Sequence, residues 1–263
     1  MMTFNIRGAY HMDGRNVWLC RRGINVRTIR DASPDLIGFQ ELQRGNLRAY
    51  ERGLPFYRRL LGPAYENRRP HSYNAIFWDP GRLELLESGG FWLSETPERF
   101  SRSWGSRQVR SANWARFRAV PEGVEFIHLN THLDHVSGEA RRRGGRLITR
   151  WLEDVRLPVL VTGDFNCNPG TPTYKIFAAA GFSDAHLRAG NPPENTFHRF
   201  MGEGYSSSRE GRIDWILLRD GVGERWEVRF CRVLRACEPP LYPSDHYPVV
   251  AGLALVPGRL TQI

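Results

Sequence analysis

Short apolar runs, each closed off by Gly, Pro, Asn or Asp, recur along this chain more often than stretches suited to helices, and that punctuation limits the fold most. Candidate strands are Met2–Ile6, Asp35–Phe39, Tyr73–Trp78, Leu83–Leu86, Phe91–Leu93, Trp114–Val120, Val124–Asn130, Pro158–Thr162, Ile213–Leu218, Trp226–Leu234 and Tyr247–Leu255. Helices are fewer: one ahead of Asp31, one over about Glu139–Asp154 and one over Pro172–Ala180. The last is best marked, with Thr171 placed to cap it, Pro172 in its first turn and Gly181 to end it. Gly144 and Gly145 make the second less regular. Several strands are apolar on both faces, so they need cover from two sides. With no repeat and no linker-like segment, the pattern predicts one α+β domain over residues 1–263, two mainly antiparallel sheets packed face to face with helices outside.

Polar residues interrupt the apolar strands at particular places. In "LPVLVTGDFNCNP" a buried-looking strand stops at Gly163, and Asp164 and Asn166 follow. Asn5 lies within the first strand, Glu41 follows "PDLIGFQ", and His132 follows "VEFIHLNT". Asp214 breaks into "RIDWILL", and Asp245 with His246 precede "YPVVAGLAL". One buried polar group without a partner costs roughly 1–3 kcal/mol, and a charge costs more. So many at strand ends imply that they satisfy one another, with a metal ion to neutralise the carboxylates. Singly, each has a plainer explanation: a turn for Asp164 and Asn166, a cap or ion pair for Glu41, a salt bridge for Asp214, a hydrogen-bonded core histidine for His132 or His246.

The bulk chemistry narrows the setting. No stretch is long and apolar enough to span a bilayer, and "MMTFNIRGAY" lacks the features of a signal peptide. The four cysteines show no C-x-x-C spacing, which argues against structural zinc and for a reducing compartment. A cytoplasmic, monomeric protein is the default expectation, although the chain opens directly on its first motif strand, so a preceding segment or export signal is left open. The net charge of +9 favours a polyanionic partner. Lys175 is the only lysine, however, and an arginine bias of this kind also arises from a GC-rich genome without any selection for binding.

The order "TFNIR", "GFQE", "NTHLDH", "GDFN", "RIDWIL" and "PSDHYPV" resembles the endonuclease/exonuclease/phosphatase superfamily, from residue 3 to about residue 250. "YNAIFW" and "FWLSETPE" further resemble a bacterial and fungal branch without a dependable substrate assignment. The resemblance implies a four-layer αββα sandwich of the DNase I-like kind, a metal-dependent phosphoester hydrolase using Mg2+ or Mn2+. It implies Glu41 as the principal metal ligand with Asn5 beside it, and Asp245 at this site or a second one. Asp164 would orient or deprotonate the attacking water, and Asn166, on the same face of an extended segment, would donate to a phosphoryl oxygen. His246, held by Asp214, would touch the scissile phosphate, and His132 would make a second contact or act as acid.

Substrate class rests on departures from subfamily patterns. Arg7 before Gly8 argues against abasic-site cleavage, and "GRIDWILL" lacks the element of inositol polyphosphate 5-phosphatases. A nuclease acting on DNA or RNA is the first expectation. The second is a phosphatase or phosphodiesterase for a lipid head group, sugar phosphate or nucleotide, and the third a non-catalytic basic binding module. In the loop Ser94–Ser111, Arg99, Arg102, Arg107 and Arg110 alternate with Phe100 and Trp104, a pattern suited to phosphate contacts and base stacking. The plainer expectation is that Trp104 packs the loop against the body.

Overall fold

The computed structural model describes residues 1–62, 72–207 and 211–258. In chain order the first half contains β1 (Met2–Asn5), α1 (Trp18–Ala32), β2 (Leu36–Gln40), α2 (Arg44–Gly53), β3 (Arg58–Leu60), β4 (Ile76–Trp78), β5 (Leu83–Trp92) and β6 (Ser111–Ala119). The second contains β7 (Glu125–His132), α3 (Gly138–Trp151), β8 (Val159–Asp164), α4 (Pro172–Ala179), β9 (Ser183–Asp184), α5 (Ala185–Arg188), β10 (Asp214–Arg219), β11 (Glu224–Val233) and β12 (Val249–Pro257). The strands form two six-stranded sheets, ordered β11-β12-β1-β2-β4-β3 and β5-β6-β7-β8-β10-β9. Pairing is antiparallel except for β1 with β2 and β7 with β8. No helix among the described residues is long and apolar enough to cross a membrane.

Alternation along the central strands builds the layers, because successive side chains point to opposite faces. Phe4, Ile37 and Phe39 pack outward against Trp18 and Ile29 of α1 and Leu47 and Tyr50 of α2. In β8, Val159 and Val161 pack outward against Ile148 of α3 and Phe177 of α4, while Leu160 faces the other sheet beside Leu36 and Ile216. The result is the four-layer αββα sandwich.

Polarity changes along the space between the sheets. One end is apolar, with Leu36, Phe126, Leu160, Leu218 and Trp226. One row further, Gln40 Nε2 donates to Thr3 Oγ1 at 3.1 Å and to Asn130 Oδ1 at 2.8 Å, and Thr162 Oγ1 donates to Asn130 Oδ1 at 3.2 Å. These bonds offset the burial of their polar groups, and the one from Gln40 to Asn130 crosses between the sheets and fixes how they sit on each other. Beyond that row come Asn5, His132, Asp164 and Asp214.

His128 lies in the polar row, its Nε2 2.8 Å from Thr162 Oγ1. Burial pushes its pKa down to about 3, and burial does the same to His198, also to about 3. In an unfolded chain both titrate near ~6.5. Between those values the unfolded state binds protons that the folded state refuses. Stability is therefore full above about pH 6.5 and falls with acidification through that window, by up to ~1.4 kcal/mol per pH unit for each histidine. Urea midpoints should drop between about pH 7.5 and about pH 5, and His128→Gln, whose amide reaches the Nε2 position, should flatten the slope. A flat wild-type profile would contradict this.

The structure departs from the sequence expectations at several elements. Leu83–Leu86 and Phe91–Leu93 merge into one strand, β5, which ends at Trp92 and carries a bulge between Leu85 and Glu87. Gly89 and Gly90 do not break it: the Trp114 indole covers Gly89, where a Cβ would sit 2.9 Å from the ring. α3 runs unbroken through Gly144 and Gly145, both buried. Thr171 sits at the cap position of α4 but its hydroxyl donates to the Asn168 carbonyl at 2.8 Å. Four further elements, α2, β3, β9 and α5, are not among the sequence expectations.

Candidate active site

Strand register brings the interrupting polar residues together. His132, Asp164 and Asp214 are direct neighbours across β7, β8 and β10. In the facing sheet Asn5 pairs with Gln40, and Glu41 follows. The site thus lies at the C-terminal ends of the two parallel pairs, where four strands from both sheets finish side by side. A cavity of about 540 Å³ opens at the opposite end of the strands among Leu36, Phe126, Leu160 and Trp226, and touches none of these residues.

Asn5 joins the two sheets. Its Nδ2 donates to Asp164 Oδ2 at 2.9 Å and to Glu41 Oε1 at 3.2 Å, while its Oδ1 accepts from the Arg7 amide at 3.0 Å. In this arrangement the Asn5 nitrogen bridges the two carboxylates. Asp164 Oδ2 also lies 3.2 Å from His132 Nε2 and 3.9 Å from His246 Nε2. Burial alone would raise the Asp164 pKa, but His132, His246 and the Asn5 bond hold it down to about 2. On the other side of the His246 ring, Nδ1 lies 2.9 Å from Asp214 Oδ2. Burial opposes protonation of His246, yet Asp214 and then Asp164 and Asp245 push its pKa up to about 10.

The chain around these groups is pinned by residues the motifs did not single out. Thr196 Oγ1 accepts from the Asp214 amide at 3.1 Å. Ser244 Oγ donates to the Asn5 carbonyl at 2.7 Å and accepts from the His246 amide at 3.3 Å. The buried Arg21 guanidinium donates to the carbonyls of Ile6 at 2.8 Å and Pro243 at 2.9 Å, tying the first motif to the last. Backbone strain collects here too: Arg7, Glu41 and Asn166 all have positive φ, at 49°, 61° and 51°. Such conformations cost of order 1–3 kcal/mol each and persist only where surrounding contacts impose them.

Asn166 differs from its expected placement. The strand ends at Asp164, and Asn166 turns back in the left-handed region with its amide donating to Asp164 Oδ1 at 2.9 Å. The pair therefore does not share a face of an extended segment. The Asn166 side chain donates to the Leu133 carbonyl at 3.0 Å, which leaves its second amide proton for another acceptor. Gly163 explains the residue before the aspartate: a Cβ there would lie 2.2 Å from the Thr131 carbonyl oxygen on β7. Gly163→Ala should cost about 1–3 kcal/mol by overpacking and displace Asp164, so activity should fall along with the urea midpoint. An unchanged midpoint would show that β7 and β8 need no such close approach.

Glu41 stands at the rim. Its Oε2 lies 3.2 Å from His11 Nε2 and accepts from the Gly8 amide at 3.3 Å. Burial raises the Glu41 pKa, but the His11 hydrogen bond, His132 and Arg7 take it well below the usual carboxylate value. Asp245 is buried, with Oδ2 3.7 Å from Arg7 Nε, and burial pushes its pKa up. Glu41 and Asp245 both carry hard carboxylate oxygens, the donor type a divalent cation takes. Asp164, Asp214 and His246 also offer ligand atoms within 4.8 Å of one another. There His246 Nδ1 already bonds Asp214 at 2.9 Å, so that trio also reads as a hydrogen-bonded relay.

The loop Ser94–Ser111 divides its arginines. Arg99 is exposed beside Glu98, and Arg102 donates to the Arg107 carbonyl at the surface. Phe100 packs edge-on against Trp92 at 4.8 Å, and Trp104 Nε1 donates to Glu95 Oε1 at 3.1 Å. Only Arg110 of the four turns inward, its side chain 10% exposed. Asp134, from the "NTHLDH" motif, holds this loop in place: its Oδ2 accepts from Ser106 Oγ at 3.0 Å and from the Arg107 amide at 2.9 Å.

The model of the Endonuclease/Exonuclease/phosphatase family matches residues 2–246. The chain belongs to the endonuclease/exonuclease/phosphatase family. A solved family protein from Bacteroides vulgatus is 31% identical, covering 97% of this chain and 98% of that one, with a TM-score of 0.84. A mannosyl-6-phosphatase from Bacteroides thetaiotaomicron is 26% identical, covering 96% of this chain and 98% of that one, also at 0.84. The human nocturnin catalytic domain, solved with bound sulfate, shares the fold at 21% identity and a TM-score of 0.71, over 97% of this chain and 92% of its own. No curated protein matches the chain. As a member of the endonuclease/exonuclease/phosphatase family the chain is a phosphoester hydrolase with the DNase I-like fold, in a family generally dependent on divalent metal.

Proposed function

We propose that this protein hydrolyses a small phosphoester, a phosphomonoester of a sugar or nucleotide type, by in-line attack of water with a divalent cation. The observation that carries the chemistry is the Asn5 amide joining Glu41 to Asp164, with the His246–Asp214 pair on the same Asp164 oxygen. Held ionised, Asp164 accepts a proton of the attacking water and sets its direction. His246, its Nδ1 bonded to Asp214, keeps Nε2–H for a phosphoryl oxygen, and the second Asn166 amide proton serves another. His132 fixes Asp164 through the bond to Oδ2. Glu41 and Asp245 are the residues that would hold a divalent cation, which would neutralise the charge that gathers on the phosphoryl group.

Two features support the small substrate. Of the two loop aromatics that could stack bases, Phe100 packs edge-on against Trp92 and Trp104 is tethered through its Nε1 to Glu95. The mannosyl-6-phosphatase similar to this chain acts, by its name, on a sugar phosphate. A nuclease is the second reading, favoured by the net charge of +9. Sugar phosphates, nucleotides, single- and double-stranded DNA, RNA and a lipid phosphodiester, each with magnesium or manganese, form the deciding panel. Hydrolysis of the small phosphomonoesters is expected, and EDTA should abolish it; turnover of polynucleotides alone would transfer the assignment to the nuclease reading, and turnover in EDTA would remove the cation from either.

A further inference from the structure

Three arginine side chains, those of Arg21, Arg110 and Arg212, are largely withdrawn from solvent, and they are satisfied very unequally. Arg21 is surrounded by main-chain carbonyls, including those of Ile6, Asn16 and Pro243. Arg212 forks onto Asp184, with NH1 at 3.1 Å and NH2 at 2.7 Å from its two oxygens. Arg110 has neither arrangement. Its NH2 reaches His135 Nδ1 at 3.2 Å, while its buried Nε meets no hydrogen-bond partner among the described residues. The nearest carboxylate oxygen, Asp134 Oδ2, is 3.9 Å from Nε and already accepts from Ser106, Arg107 and Gln108.

A guanidinium carries five N–H donors in a planar fork, and leaving them unpaired out of water is costly unless an acceptor arrives during function. Arg110 lies just ahead of β6, whose Ala112 pairs with Thr131, and meets His135 and Asp134 on the segment that follows His132. Besides Asp134, the carboxylates that act on its charge are Asp164 and Glu41, the two that Asn5 bridges. A tetrahedral anion there would meet a fork suited to two of its oxygens. The neighbouring loop arginines are exposed or paired at the surface, so the basic character of the segment does not account for this one.

We propose that Arg110 is a phosphate-binding residue, its unfilled N–H donors gripping non-bridging oxygens of the substrate's phosphoryl group beside Asp164. This rests on the reading that the Asp164–His246 site receives that group. It adds a site residue outside the motifs that mark the family resemblance in this sequence. It also gives the loop Ser94–Ser111 a function, because Asp134 anchors the loop and the loop delivers Arg110.

The test uses the full chain and Arg110→Gln, Arg110→Lys, Arg110→Ala and Asp164→Asn. Inorganic phosphate is the probe, by calorimetry and by competitive inhibition. Arg110→Gln should weaken phosphate binding at least ~10-fold and lower kcat/KM at least ~10²-fold, with Arg110→Lys intermediate. Because Arg110→Ala could lose activity through folding alone, its rescue by millimolar guanidinium, and not by equal urea, is the decisive readout. Undiminished phosphate affinity and kcat/KM in Arg110→Gln, or an Arg110→Ala variant that guanidinium does not restore, overturns the proposal. Asp164→Asn keeps the two readings apart. If it is inert while Arg110→Gln works normally, only the Arg110 assignment fails; if it turns over normally, the site reading itself fails.

Discussion

Asp164→Asn is expected to lower turnover at least ~10²-fold while leaving the sandwich folded. The substitution keeps size and shape but removes the charge that accepts a proton from water. It also replaces one oxygen with an N–H2 group, so one of the present donors to Oδ2, Asn5 Nδ2 or His132 Nε2, loses its acceptor. That loss costs roughly 1–3 kcal/mol, enough to lower the melting temperature without unfolding a protein of this size. Activity and thermal melts measured together check the prediction. A variant within a few-fold of wild type would mean that Asp164 only bridges the sheets.

His246→Ala is expected to lose a similar factor, again at least ~10²-fold. Here the fold is at greater risk, because Ala removes the His246 bond to Oδ2 of the buried Asp214 carboxylate, whose Oδ1 already lacks a partner among the described residues. His246→Asn separates the two effects: an Asn amide can occupy the Nδ1 position and donate to Asp214, but nothing replaces Nε2. His246→Asn should therefore be as inactive as His246→Ala and clearly more stable. Full activity in a folded His246→Asn would remove the ring from the chemistry.

Much of this arrangement was legible because β-strand geometry is local. "VLVTGD" places Leu160, Thr162 and Asp164 on one face and Val159 and Val161 on the other by alternation alone, and the structure puts the first set between the sheets and the second under helices. Elements with no apolar pattern were lost. β3 is "RRL", β9 spans two residues, and α2 begins at a capping box formed by Gln43 and Asn46, outside the usual Ser or Thr signature. The glycine pair in β5 reads as a break until Trp114 is seen lying over it, and that contact comes from another strand.

The candidate site shows the same division. Strand-end positions of Asn5, Glu41, His132, Asp164 and Asp214 could be read from the chain, whereas the direction of the Asn5 amide, the turn at Asn166 and the inward course of Arg110 depend on partners far away in sequence. Arg110 stood among four equivalent-looking loop arginines, and only burial tells it apart. The bond from Ser244 to the Asn5 carbonyl spans 239 residues, so no local pattern announces it.

A cation and a phosphoryl group should meet where the two sheets end. Crystals grown with manganese and inorganic phosphate test this directly through the anomalous signal of the metal. The expected map places manganese on the Glu41 carboxylate and the phosphate within hydrogen-bond reach of His246 and Asn166. Manganese bound away from Glu41, or phosphate at a site remote from Asp164, would contradict it.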